Sequence, residues 1–76
     1  PGAVRRDRRT RMMYDDRHIF INGESFRAGG ADARLMQTLA DQRALDARQV
    51  ARASEDAKAL LQDWFEAGWL RRLDAA

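Results

Sequence analysis

The chain has 76 residues, 45% of them hydrophobic and 34% charged, with 14 basic against 12 acidic side chains for a formal net charge of +2. It carries no cysteine and a single histidine, which excludes a disulfide framework, a cysteine zinc site and any metal centre built on paired histidines. A domain this small buries only about 60% of the surface its unfolded chain exposes, and no apolar run approaches the roughly 18 residues of a membrane span.

Nothing at the start resembles a signal peptide, so the expected setting is cytoplasmic. Pro1 in first position suggests a piece of a longer protein or a tag remnant. The charge is uneven. Residues 1–17 hold six Arg against Asp7, Asp15 and Asp16, whereas residues 18–76 hold eight basic and nine acidic side chains. Arg5, Arg6, Arg8, Arg9 and Arg11 could release counterions on binding phosphates, but short basic runs are more often solvated surface. Residues 1–9 are therefore read as a basic flexible tail or linker, residues 10–73 as the folded domain and residues 74–76 as a C-terminal tail.

Thr10 to Tyr14 can extend as a strand, and Asp15-Asp16-Arg17 makes a polar turn into His18 to Ile21. Asn22-Gly23 then suits a two-residue type I′ turn, because both central residues need positive φ. That turn sets the register of the hairpin: Ile21 faces Glu24, Phe20 faces Ser25 and Ile19 faces Phe26. Ile19, Ile21 and Phe26 consequently share one face, which needs a cover.

Gly29-Gly30 ends the sheet pattern, and Asp32 lies in the opening of helix one, whose Leu35, Met36 and Leu39 form one stripe. Asp46 and Gln49 make a capping box for helix two, with Leu45 and Val50 placed as a hydrophobic staple. Helix three opens at Ser54, with Glu55 and Asp56 in its first turn. Its core stripe is read as Ala57, Leu60, Leu61, Trp64 and Phe65, and Gly68 ends it with Trp69 folding back. The two Trp and Phe65 are expected at the centre of the core. Trp69 to Leu73 reads as a last strand, pairing with the hairpin or the first strand. The order β-β-β-α-α-α-β is a small α+β fold with three helices packed on a short antiparallel sheet.

Catalytic ingredients are sparse. One histidine rules out the His-x-Asp with distal His of an iron site and the His-Glu-x-x-His of a zinc site. Neither Ser25 nor Ser54 has a nucleophile-elbow setting. Asp15 and Asp16 read as turn formers, His18 as a half-exposed strand residue, and Gly29-Gly30 as a connector without the Lys and Ser/Thr of a phosphate loop. As an isolated chain it is read as non-catalytic, with no catalytic, cofactor or metal residue assigned.

Helices one and two could pass for helix-turn-helix. The polar face of helix three, however, is Glu55, Asp56, Lys58, Gln62, Asp63 and Glu66, which phosphates would repel. Duplex reading is therefore disfavoured, and the alternative function is a winged-helix nucleic-acid module using Arg48 and Arg52 of helix two with the Arg tail.

The stretch Asp15-Asp16-Arg17-His18-Ile19-Phe20-Ile21-Asn22-Gly23-Glu24, the helix around Asp32 to Leu39, the Ala44-Leu45-Asp46 joint and the ending Trp64-Phe65-Glu66-Ala67-Gly68-Trp69-Leu70 carry a resemblance. Together they resemble the C-terminal domain of bacterial ribosomal oxygenases over residues 11–73. These are cupin or JmjC-type dioxygenases that hydroxylate an arginine of a large-subunit ribosomal protein with iron(II) and 2-oxoglutarate. The resemblance implies a winged-helix-like module following a catalytic cupin and a dimerisation domain. It also implies an accessory role, since the family's iron and 2-oxoglutarate residues lie in the cupin and match nothing here. Implied partners are the upstream cupin and dimerisation domains and a ribosomal protein, with no membrane. Candidate contacts are Phe20, Arg27, Arg48 and Arg52.

Overall fold

The Asn22-Gly23 turn forms as its chemistry requires, with φ of 49° at Asn22 and 86° at Gly23 in the computed structural model, which describes residues 2–73. It joins β3 (His18–Ile21) to β4 (Glu24–Arg27) in the expected register, Ile21 opposite Glu24, Phe20 opposite Ser25 and Ile19 opposite Phe26. Asn22 also reaches beyond the hairpin. Its Oδ1 accepts from the Arg11 amide at 2.9 Å, and its own amide donates to the Arg11 carbonyl. These bonds tie the turn to β2 (Met12–Tyr14), which pairs antiparallel with β3 and completes a three-stranded sheet in the order β2-β3-β4.

A second sheet lies where the sequence suggested a tail. Val4–Arg6 is a strand, β1, in the middle of the order β5-β1-β6, between β5 (Ala44–Leu45) and β6 (Leu70–Arg72). The reading of residues 1–9 as a flexible tail is thus corrected for the described part, and the final strand pairs with β1 rather than with the hairpin or β2. The reason is non-local. Val4 alone gives this segment apolar weight, but the Trp69 carbonyl accepts from the Asp7 amide at 2.9 Å and from the Thr10 hydroxyl at 2.8 Å. Asp7 and Thr10 are both buried. The expected C-terminal tail, residues 74–76, lies outside the described residues.

The helices are α1 (Gly30–Gln42), α2 (Ala47–Arg52) and α3 (Glu55–Glu66), giving an α+β fold of three helices and two antiparallel sheets, with two more strands than the sequence suggested. Asp32 sits in the first turn of α1, as expected, and the cap is Gly29. The capping box of α2 is complete: the Gln49 amide donates to Asp46 at 2.7 Å and the Asp46 amide donates to the Gln49 side chain at 2.9 Å. Leu45 and Val50, the staple pair, are both buried. Ser54 caps α3 by accepting from the Ala57 amide at 3.0 Å, and its hydroxyl donates to Asp32 at 2.7 Å, which ties the starts of α1 and α3 together.

At the other end of α3, the Trp69 amide reaches the Trp64 carbonyl at 2.8 Å and the Gly68 amide reaches Phe65 at 3.1 Å. With Gly68 at φ 84°, this is a complete Schellman closure. It turns the chain straight into β6.

The hairpin face needing cover, Ile19 and Ile21, meets Met36 and Leu39 of α1 and Leu61 and Trp64 of α3 in one core. Phe26 packs edge-on to Trp64, ring centroids 5.6 Å apart. Trp64 is the aromatic centre, while Trp69 is half-buried against it. Phe65 is not in the core: it is 38% exposed, with the Arg72 guanidinium 5.9 Å from its ring centroid. The stripe Ala57, Leu61, Trp64 advances by four and three residues and stays on one face, which leaves Phe65 on its flank.

Candidate functional site

The strands that bury Ile19 and Ile21 must turn their alternate residues outward. On the outer face of the β2-β3-β4 sheet, Met13 lies opposite Phe20, Phe20 opposite Ser25 and His18 opposite Arg27. Met13 is 68% exposed and Phe20 36%. His18 stacks on Phe20, the rings 6.0 Å apart and 29° from parallel. The result is a small apolar centre with a basic margin.

Asp15 anchors the turn beside this face. Its Oδ1 accepts from the Arg17 amide at 2.9 Å and the His18 amide at 2.8 Å, and lies 3.3 Å from the His18 ring nitrogen. The Arg17 amide, followed by the His18 bonds, holds its carboxyl below the usual carboxylate range against the opposing effect of desolvation. Its bonding is that of a turn former.

The four candidate contacts are all exposed, but they fall into two pairs. Phe20 and Arg27 belong to the outer sheet face, and Arg27 borders a cleft with Arg17 and Gly29. Arg48 and Arg52 lie on α2, where Arg52 lines a separate cleft with Arg34 and Thr38 of α1. Met13 is the residue the sequence reading missed. Its place opposite Phe20 follows from a β2-β3 register that no turn residue announces.

Other hollows lie elsewhere on the surface. An apolar one of about 240 Å³ opens between β1 and the α2-α3 pair, walled by Val50, Leu61 and Phe65. A larger one of about 550 Å³ is bordered by Arg5, Arg6, Arg8, Arg43 and Arg71. Arg5, Arg6 and Arg8 of the first segment are thus gathered with two arginines from distant positions, which spacing alone could not show.

The polar face of α3 carries the expected acids, with Glu55, Asp56, Asp63 and Glu66 exposed and Lys58 paired to Glu55 at 3.7 Å. The strand that follows α3 is held by β1, so among the described residues no hairpin wing stands beyond it. Among the described residues no group of three or more His, Cys, Asp or Glu is placed to hold a metal ion, and no helix is long and apolar enough to cross a membrane.

Comparison with known proteins agrees with this architecture. No curated protein and no solved structure gives a significant match. The family model described as ROXA-like winged helix matches residues 2–71, β1 included. With its three helices, antiparallel sheets and a match running from the first strand into the last, the chain belongs to the ROXA-like winged-helix family, the C-terminal winged-helix domain of ribosomal oxygenases.

Proposed function

We propose that this domain is the non-catalytic C-terminal accessory module of a cupin or JmjC-type ribosomal protein arginine hydroxylase. It packs on the rest of its parent or shapes the approach of the large-subunit ribosomal protein. The observation that carries this reading is the outward Met13-Phe20 pair with His18 and Arg27, an apolar centre on a sheet face turned away from the core. Family membership supplies the context. Arg48 and Arg52 of α2 would form a second contact line.

The parent's chemistry would need iron(II) and 2-oxoglutarate. This chain's residues do not fit them: with one histidine it cannot supply the ligand set, so both belong to a cupin upstream. The setting follows as cytoplasmic, with the cupin and dimerisation domains as intramolecular partners.

The test uses the full-length parent with Phe20→Asp and Met13→Asp. Hydroxylation of the ribosomal protein should fall through a raised KM or loosened domain packing, and thermal unfolding of the isolated module checks that both variants still fold. Wild-type turnover together with unchanged interdomain cross-links would overturn the proposal. An upstream reading frame without a His-x-Asp and a later His would do the same, as would hydroxylation of a ribosomal peptide by this fragment alone.

A further inference from the structure

The hollow of about 550 Å³ between β1, β6 and the end of α1 is lined by five arginines, Arg5, Arg6, Arg8, Arg43 and Arg71. Its wall contains no acidic and no aromatic side chain, and Gln42, Ala44 and Leu73 complete it. We propose that this hollow grips the phosphodiester backbone of a nucleic acid by charge, without reading its bases.

The arrangement runs against the ordinary preferences of the fold at two points. Arg5 lies directly opposite Arg71 across the β1-β6 pair, and like charges facing each other weaken a strand pair. Arg43 ends α1 at φ 68°, a left-handed position that suits glycine. The negative end of the helix dipole favours a cation at Arg43, but it does nothing for Arg5 or Arg8.

Arg6 forms the floor. Its Nη1 donates to the Thr10 carbonyl and its Nη2 to the Ala40 carbonyl, both at 3.1 Å, and its buried Nε has no partner among the described residues. Burial, and after it the neighbouring Arg43 charge, disfavours its charged form. Asp7 is the near counter-charge. It is engaged by the Arg71 Nε at 2.6 Å and lies 3.8 Å from Arg9, one carboxylate for several guanidiniums.

The ligand class follows from what the wall offers. Guanidinium forks match phosphate oxygens bidentately, and several around one hollow suit a chain of phosphates better than a single ion. With no aromatic in the wall, bases have nothing to stack on. This surface is distinct from α2 and α3, so duplex reading by those helices stays disfavoured. The proposal is also independent of the accessory role argued from the sheet face.

The experiment takes the 76-residue chain and titrates a labelled single-stranded RNA and a DNA duplex at about 50 and 200 mM salt. Binding should weaken steeply with salt, with a slope near −0.7 per single-strand phosphate engaged. Arg5→Gln/Arg8→Gln/Arg43→Gly should cost at least about tenfold in affinity and flatten that slope by about two. Glycine accommodates the backbone of position 43, and thermal unfolding checks that the triple variant folds. The charge-matched Arg17→Gln/Arg34→Gln/Lys58→Gln should keep the larger part of the binding.

Inorganic phosphate alone should compete only at concentrations far above the nucleic acid. Several outcomes would overturn the proposal: no binding at about 50 mM salt, equal losses in the two triple variants, or loss confined to an Arg48→Gln/Arg52→Gln variant. So would competition by phosphate at matching concentration, or binding of polyglutamate as tight as RNA, which would mark a carboxylate partner.

Discussion

Gly23 and Trp64 illustrate two different ways in which one side chain matters here. At Gly23 the space where a Cβ would go is open, so the constraint is the backbone alone, held at φ 86°. Gly23→Val should destabilise the domain by about 1–2 kcal/mol through positive-φ strain rather than through a clash, read as a shift of the urea midpoint with unchanged slope. Trp64 is constrained by volume instead. It is 2% exposed and packs on Phe26, yet its indole N–H has no partner among the described residues. Trp64→Ala should cost about 3–5 kcal/mol. Trp64→Phe should cost clearly less, because it empties part of the site without orphaning any acceptor, and thermal unfolding of the two variants separates the cases.

At the scale of elements, local devices and long-range ones divide the work. The α2 helix has six residues, too short to persist without help. Its capping box and staple therefore carry weight, and Asp46→Ala should cost about 1 kcal/mol, checked by denaturant unfolding. The staple residue Leu45 also belongs to β5, so α2 is fastened to the second sheet at its first turn. The β1 strand has the opposite character. Nothing local defines it, yet it supplies the middle of that sheet. Removing residues 1–9 should lower the thermal midpoint and expose β6 amides to hydrogen exchange, whereas removal of a mere tail would leave both unchanged. Arg5→Ala alone should have little effect on stability, because its backbone makes the pairing and its side chain is exposed.

For the molecule as a whole, acid is the informative perturbation. The Arg71 side chain, followed by the Arg9 amide, holds the Asp7 carboxyl below the usual range. Asp15 is lowered as well, chiefly by the Arg17 amide. A depressed carboxyl binds fewer protons folded than unfolded, so its contribution is present above the ordinary value of about 3.9 and is lost as pH falls through the lower folded value. Stability measured by urea unfolding should therefore decline below about pH 4, with Asp7→Asn weaker at neutral pH and less sensitive to acid. Tyr14, whose hydroxyl donates to Asp41 at 2.8 Å and is raised chiefly by that bond, behaves oppositely. Its contribution holds below about pH 10 and is lost as pH rises through its raised value.

The features legible in the amino-acid order are those set by neighbours in the chain. The Asn22-Gly23 register, the Asp46-Gln49 box and the Gly68 closure each depend on residues within a few positions of one another, and all three form as their chemistry demands. The family resemblance rests on the same local pieces, and the ROXA-like match confirms it. Folding in three dimensions settled the place of Val4–Arg6, the exposure of Phe65, the pairing of Met13 with Phe20 and the gathering of Arg5, Arg6, Arg8, Arg43 and Arg71 around one hollow. Each of these hangs on partners brought together from distant parts of the chain or on which face of a helix the core takes up. Trp69 accepts from Thr10 across 59 positions, and no periodicity in the chain encodes such a contact.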